Sequence, residues 1–134
     1  MISKHITLSE ATNSPTALRL KINNEPNEAQ FEAMKVVANM LFEPLREWYG
    51  KPIKINSFFR CEALNTAVGG AKTSSHCQGC AIDITAGSKE ENKKLFDYVK
   101  ANLVFDQLIN EYDYSWVHIS YKVGMNRNQT IVVK

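Results

Sequence analysis

The most informative stretch of this chain reads Ser74-Ser75-His76-Cys77-Gln78-Gly79-Cys80-Ala81-Ile82-Asp83, a polar loop that runs into a predicted strand. It places a carboxylate seven residues after an imidazole. Gly79 lies between them, and glycine lets the backbone turn sharply without a steric penalty at Cβ. In a strand, Asp83 shares one face with Ala81, whereas its two isoleucine neighbours point to the other face. Asp83 is therefore expected to be at least half-buried, which is costly unless a cation or hydrogen-bond donors compensate its charge.

A further histidine lies near the end of the chain, in Trp116-Val117-His118-Ile119-Ser120-Tyr121. On a strand, His118 shares a face with Trp116 and Ser120. Two imidazoles and one carboxylate form a three-ligand zinc set that leaves a fourth position open to water. The spacing of His76, Asp83 and His118 is, by itself, at least as compatible with an ordinary polar loop and an ordinary strand histidine.

Outward from these motifs, the apolar pattern predicts helices and strands in mixed order. Apolar residues at three- and four-residue steps predict a long helix between Asn27 and Gly50. Asn27 and Gln30 are placed to cap it, and Pro44 is expected to kink or break it. The other predicted elements are a strand at 53–58, a short helix at 62–68, a strand at 80–84, a long helix after a Ser88–Glu91 capping box, strands at 107–112 and 116–123, and a final strand at 129–133.

This order of elements predicts a single α+β domain over residues 1–134, with a mainly antiparallel sheet flanked by helices. Residues 1–26 are expected to form an irregular N-terminal segment with only a weak signal for an early strand or short helix. A chain of 134 residues suits one core better than two.

Composition excludes several classes of protein. The formal net charge is +2 and the charges are mixed along the chain, so a basic nucleic-acid-binding surface is not expected. No apolar run approaches the ~18 residues that span a bilayer, so no membrane partner is expected. The first residues lack the apolar core of a secretion signal, and we expect a chain made in the cytoplasm. The odd set of Cys61, Cys77 and Cys80 favours free thiols over a disulfide framework. The sequence gives no indication of the oligomeric state.

The motif in residues 74–83 resembles the S-x-H-x-x-G-x-A-x-D signature of the zinc D-alanyl-D-alanine carboxypeptidase family and matches it at every fixed position. Residues 116–120 look like the second metal motif of that family. The upstream segments that are similar to its small, phage-associated branch are Pro44-Leu45-Arg46, Lys51-Pro52-Ile53-Lys54-Ile55-Asn56-Ser57-Phe58-Phe59-Arg60, Leu64-Asn65 and Val68-Gly69-Gly70. The likeness runs from Ser9 to Tyr121, which is most of the chain.

The resemblance implies a zinc D-Ala-D-Ala carboxypeptidase or hedgehog-like fold with one Zn²⁺ per chain, held by His76, Asp83 and His118. It also implies a metallopeptidase that hydrolyses peptide bonds in peptidoglycan stem peptides. Both D,D-carboxypeptidase action and endolysin-type endopeptidase action fit these ligands. Such an enzyme is expected to act at the cell wall, after release from the cell or as part of a phage or prophage system.

A zinc peptidase also needs a general base, and many members of the family carry an acid three residues before the last ligand. Here that position is Ser115, which leaves Glu111 and Asp113 as candidates. If Tyr114 and Ser115 form a two-residue turn, Glu111 lies directly opposite His118 and projects from the same face. Asp113 then lies out at the turn, so Glu111 is the predicted base. A turn one residue longer or shorter would send Glu111 to the other face.

Three further residues are predicted to contact the substrate. Arg60 lies in a segment that resembles the family's S-G-Y-R, where the arginine anchors a substrate carboxylate or polarises the reacting carbonyl. Ser74 is expected to position the loop or to hydrogen-bond a metal ligand. Trp116 is expected to line the cleft. Phe58 and Phe59 replace the glycine and tyrosine of the family, so no tyrosine hydroxyl is present there.

Two alternatives remain open from the sequence. A catalytically silent cell-wall-binding or virion structural module would keep the fold, and the absence of an acid at Ser115 favours it. The C-x-x-C formed by Cys77 and Cys80 is also found in redox pairs and structural zinc sites. It overlaps the peptidase signature and has no second C-x-x-C, so thiols at variable positions of the signature are the preferred interpretation.

Overall fold

The computed structural model of the protein describes residues 1–70 and 74–134 as one α+β domain. The helices are α1 Leu8–Thr12, α2 Pro15–Leu20, α3 Glu28–Val37, α4 Glu43–Tyr49, α5 Glu62–Ala67 and α6 Lys89–Asn102. The strands are β1 Lys54–Ser57, β2 Ala81–Thr85, β3 Gln107–Glu111, β4 Trp116–Ser120 and β5 Gln129–Val133. A π-helical turn spans Ala38–Phe42 and a 3₁₀ turn spans Ser75–Gln78.

The N-terminal segment is more regular than expected, because residues 1–26 contain two capped helices. Thr7 accepts a hydrogen bond from the backbone of Glu10, whose carboxylate bonds back to Thr7, and this capping box begins α1. Ser14 caps α2, which has Pro15 in its first turn. Both signals are present in the sequence. The helices are too short, at five and six residues, to show an apolar periodicity.

The first long helix forms as predicted, but it does not break at Pro44. Asn27 and Gln30 make the reciprocal capping box that begins α3. The π-helical turn then lies directly before the proline, and the backbone N–H of Glu43 bonds to the carbonyl of Ala38 across this wider turn. Proline lacks a backbone N–H and clashes with the preceding turn, and widening that turn lets the helix continue into α4.

Ser88 caps the second long helix, α6, but only half of the predicted capping box forms. The Ser88 hydroxyl accepts a hydrogen bond from the backbone N–H of Glu91. The Glu91 carboxylate turns instead to the Tyr49 hydroxyl at 2.8 Å and to Lys94. The side chain of Glu91 therefore ties α6 to the end of α4.

The five strands form one sheet in the order β1-β2-β4-β3-β5. All neighbouring pairs are antiparallel except β3 and β5, which are parallel. The predicted strands lie within one or two residues of the observed ones, except that β4 ends at Ser120 and not at residue 123. One face of the sheet packs on the helices, and its residues Ile82, Ile84, Leu108, Val117 and Ile119 are fully buried. Burial of each such side chain contributes about 1.5–3 kcal/mol to the stability of the fold.

In the described parts of the chain, no helix has both the length and the apolar character to cross a membrane.

The predicted two-residue turn between β3 and β4 is wrong, and four residues, Tyr112 to Ser115, make the connection. Tyr112, Asp113 and Tyr114 all have left-handed backbone angles, with φ of 51°, 54° and 60°. Glu111 consequently pairs with Trp116, and Ile109 pairs with His118. The two tyrosines do not signal such a turn, because left-handed angles are costly for a residue with a Cβ and a bulky side chain.

An ion pair between a buried carboxylate and an exposed arginine fixes the chain where it enters β5. Asp106 is 1% exposed and accepts hydrogen bonds from Arg127 Nε at 2.8 Å and Nη2 at 3.0 Å. The backbone carbonyl of Asp106 also accepts the N–H of Gln129, the first residue of β5. The hydrogen bonds from Arg127 outweigh the effect of burial and lower the pKa of Asp106 below its ordinary value.

We predict that Asp106→Asn lowers the free energy of unfolding by about 1–2 kcal/mol at pH 7, because a charge-assisted hydrogen-bond pair is lost. A carboxyl whose pKa is lower in the folded state stabilises the fold above its unfolded pKa, and that stability is lost as the pH falls through the folded pKa. The difference from wild type should therefore shrink below about pH 4. Urea unfolding at pH 7 and at pH 3 measures both quantities. Asp97→Asn, at an exposed carboxylate on α6, is the control, and an equal effect there would contradict the assignment.

Candidate metal centre

His76 lies in the 3₁₀ turn, and the surrounding chain holds this turn in a fixed position. Ser74 caps the turn by accepting the backbone N–H of His76 at 3.2 Å. Gly79 ends it with φ of 74°, and a Cβ at this position would lie 2.6 Å from the carbonyl oxygen of Gln30. The Gln30 amide also donates to the carbonyl of Cys77 at 3.0 Å. Glycine is thus required both by the backbone angle and by the close approach of α3.

The hydrogen bonds of His76 determine which ring nitrogen is available. Its Nδ1 lies 2.8 Å from the carbonyl oxygen of Phe58. A carbonyl only accepts, so Nδ1 carries the hydrogen and Nε2 of the neutral ring has a free lone pair. Nε2 is buried, lies 3.2 Å from Asp83 Oδ2, and makes no hydrogen bond within the described residues. A buried nitrogen without a partner is costly unless a ligand completes it.

Asp83 and His118 are brought together by the pairing of β2 with β4. They lie directly opposite each other in the register, and His118 Nδ1 donates to Asp83 Oδ1 at 2.9 Å. Burial raises the pKa of Asp83, but the hydrogen bond from His118 and the close approach of the two imidazoles outweigh burial and hold that pKa well below its usual range. The carboxylate is therefore ionised and ready to bind a cation.

His76, Asp83 and His118 form a cluster whose ligand atoms all lie within 4.8 Å of one another. Within residues 1–70 and 74–134, no other three histidine, cysteine or acidic side chains bring their ligand atoms this close together. Cys77 and Cys80 are free thiols outside the cluster, and burial raises the pKa of each. The cysteines therefore do not form a three-ligand metal site with any of the residues described.

Glu111 shares a cleft with this cluster, although the predicted register was wrong. The turn is two residues longer than predicted, so Glu111 lies opposite Trp116 and not His118. A shift of two residues preserves the face, because side chains alternate with a period of two. Burial and the negative charge of Asp83 raise the pKa of Glu111, with His118 partly opposing them. Asp113 is an exposed turn residue that pairs with Lys89 at 2.6 Å, as expected for a residue outside the site.

Arg60 and Ser74 lie together on the other side of the cleft. Arg60 Nη2 donates to the Ser74 hydroxyl at 3.3 Å, and its backbone N–H bonds to the carbonyl of His76 at 3.3 Å. Within the described residues, Nε of Arg60 is buried without a hydrogen-bond partner. Ser74 therefore connects the arginine to the loop that carries His76.

The cleft has a volume of about 620 Å³ and contains every site residue predicted from the sequence. Its lining residues are Arg60, Val68, Gly69, Gly70, Ser74, Ser75, His76, Asp83, Gln107, Ile109, Glu111, Tyr112, Trp116 and His118. Sequence analysis missed Gln107, Ile109 and Tyr112. Gln107 and Ile109 alternate with buried residues in the same strand as Glu111, so the period-two pattern of β3 could have identified them.

The profile of the family described as Peptidase M15 matches residues 4–120. The chain belongs to the peptidase M15 family. No curated protein matches it. The family resemblance seen in the sequence and the predicted α+β fold are thereby confirmed. Residues 1–70 and 74–134 of this M15 chain also contain a His-Asp-His cluster of the kind that holds a divalent metal.

The cluster of this M15 chain fits a divalent metal on two independent grounds. The Nε2 atom of His76 is an unpartnered buried acceptor that faces an ionised carboxylate. Two imidazoles and one carboxylate are also the donors that borderline metals such as zinc bind in open, three-ligand sites. The Phe58 carbonyl that orients His76 is the kind of partner that fixes the tautomer of a ligating histidine.

We predict one divalent metal site per chain, with zinc as the test ion. His76→Ala and His118→Ala should each weaken zinc binding at least about a hundredfold, because only two ligands remain. Competition against a chromophoric chelator measures the affinity. The control is His5→Ala, which changes an exposed histidine paired with Glu43. Equal zinc affinity in all four proteins would exclude this site.

Proposed function

We propose that the protein is a zinc-dependent peptidase that hydrolyses peptide bonds in the stem peptides of peptidoglycan. The observation that carries this proposal is that a metal-binding cluster, a half-buried carboxylate of raised pKa and an arginine line one cleft in a member of peptidase M15. The sequence likeness to the D-alanyl-D-alanine carboxypeptidases and phage endolysins supports peptidoglycan as the substrate. The proposed place of action is the cell wall, reached after release from the cell or within a phage system.

His76, Asp83 and His118 would hold the zinc ion. When bound, zinc supplies a Lewis acid that polarises the scissile carbonyl and lowers the pKa of water at the open coordination position. Phe58 and Ser74 contribute indirectly, because their hydrogen bonds fix the tautomer of His76 and the loop that carries it. The ligand geometry is thus built before the substrate arrives.

Glu111 is the proposed general base. Water attacks the scissile carbonyl carbon, Glu111 accepts the proton of that water, and the same proton passes to the amine nitrogen as the C–N bond breaks. Burial, which raises the pKa of Glu111 with or without a bound metal, moves this carboxyl toward the range that suits proton transfer. Because the proton taken from water is the one delivered to the amine, the reaction needs no second acid.

Arg60 is the proposed anchor for negative charge on the substrate. Its guanidinium lines the cleft, and its terminal N–H groups can donate to a carboxylate or a developing oxyanion. The Ser74 hydroxyl limits the orientations available to the guanidinium, which reduces the entropy that substrate binding must overcome.

A catalytically silent wall-binding or virion structural module remains the second candidate, and Ser115 is the observation that favours it. Its hydroxyl donates to the backbone carbonyl of Tyr112 at 2.6 Å, so this residue serves the turn and supplies no proton acceptor to the cleft. The two candidates differ in one measurable respect, because a silent module would bind zinc and peptidoglycan without releasing amines.

We predict that Glu111→Gln lowers hydrolysis about 10²–10⁴-fold while zinc binding stays unchanged, because the variant keeps the shape of the side chain but cannot accept a proton. The measurement is the release of free amino groups from purified peptidoglycan by zinc-loaded protein. Asp113→Asn is the matched control, since this carboxylate lies in the neighbouring turn and should leave the rate within twofold. Unchanged hydrolysis in Glu111→Gln would remove Glu111 from the mechanism. No hydrolysis by the zinc-loaded wild type would favour the silent module.

A further inference from the structure

The surface that carries the metal ligands continues across the sheet beyond the cleft. Successive pairings join Asp83 of β2 to His118 of β4, His118 to Ile109 of β3, and Ile109 to Ile131 of β5. Residues paired in this way project from the same face of a sheet. Asp83, His118, Ile109 and Ile131 therefore form one row that runs perpendicular to the strands, from the metal cluster to the edge of the sheet.

The β5 residues at the end of this surface are accessible and contact the cleft lining. Gln129 is exposed, and Ile131 and Val133 are half-exposed. The Gln107 amide, which lines the cleft, donates to the side-chain oxygen of Gln129 at 3.0 Å. The side chain of Gln129 is thus on the cleft side of β5, next to Ile131 on the same face.

The dimensions of the sheet indicate how long a peptide would reach this edge. Neighbouring strands lie about 4.7–4.9 Å apart, so Ile131, two strands beyond His118, is about 10 Å from it. An extended peptide spans about 3.3–3.6 Å per residue. A substrate that follows the row therefore reaches Ile131 about three residues from its scissile bond, whereas a dipeptide does not.

The chemistry of the row suits a peptide. Ile109 and Ile131 provide an apolar floor for small side chains such as the methyl group of alanine. The amides of Gln107 and Gln129 flank this floor, and an amide side chain both donates to and accepts from a peptide backbone. No charged side chain is among these four, so the surface does not select against either end of a peptide.

We propose that Ile131 and Gln129 form a substrate subsite for the part of a stem peptide about three residues from the scissile bond. The protein then binds stem peptides of four or more residues in preference to dipeptides. This inference rests on the proposed function, because it assumes that a peptide occupies the cleft. It specifies the substrate as an oligopeptide and leaves open which bond is cut.

The neighbouring residue in β5 provides a matched control. Val132 points to the opposite face and is 61% exposed. Ile131→Ser and Val132→Ser each remove a branched apolar side chain from the same edge strand, so they alter its strand propensity in the same way. Gln129→Ala is a second test variant, and its exposed position makes it safe for folding.

The test measures binding by isothermal titration calorimetry with zinc-loaded protein that carries Glu111→Gln to prevent turnover. The probes are the dipeptide D-Ala-D-Ala and a stem pentapeptide that ends in D-Ala-D-Ala. We expect the parent protein to bind the pentapeptide at least about tenfold more tightly than the dipeptide. Ile131→Ser should weaken pentapeptide binding about tenfold and Gln129→Ala about threefold, and Val132→Ser should stay within twofold. Dipeptide binding should be the same in all four proteins.

Two results would overturn the inference, and they differ in what they say of the proposed function. Equal pentapeptide binding by the Ile131→Ser, Gln129→Ala and parent proteins, with hydrolysis of peptidoglycan intact in the wild type, removes the subsite and leaves the peptidase assignment standing. Absence of pentapeptide and dipeptide binding in the zinc-loaded parent removes both. Circular dichroism and zinc stoichiometry establish that each variant is folded.

Discussion

The candidate site depends on the antiparallel pairing of β2 with β4. This register places Asp83 directly opposite His118, although the two residues are 35 positions apart in the chain. The pairing is strongly specified, because Ile82 and Ile84 are fully buried on the other face and a slip of one residue would expose them. Core packing on one face of the sheet thus determines the geometry of the metal ligands on the other.

Much of the fold and the site follows from local sequence patterns, and the failures have specific physical causes. Period-two alternation gave the face that Asp83, Glu111 and His118 each present on their own strands, whereas the convergence of Asp83 and His118 was predicted from the family resemblance. Alternation could not give the register of β3 against β4, because the register depends on left-handed angles at Tyr112, Asp113 and Tyr114, and the two tyrosines do not signal them. The error of two residues left Glu111 on the correct face.

Contacts between distant segments were the least predictable part. The final strand was correctly bounded, yet nothing local indicates that β5 pairs in parallel with β3 and lies beside the cleft. The contact between His76 and the carbonyl of Phe58 could not be predicted either, because every residue type has the same backbone carbonyl. The N-terminal helices α1 and α2 were missed for a different reason. Their capping residues are present in the sequence, but the helices are too short to show a helical apolar pattern.

The contact between Gly79 and Gln30 has a thermodynamic consequence for a helix that contributes no metal ligand. The loop that carries His76 is held against the first turn of α3, and the same Gln30 side chain closes the helix cap with Asn27 and donates to the carbonyl of Cys77. Fraying of that helix end would therefore release the loop, so the two equilibria are linked. A metal ion that binds only the ordered loop therefore also stabilises the start of α3, by the free energy that couples loop order to helix order. Removal of the metal by a chelator should then make the amide hydrogens at that helix end exchange faster.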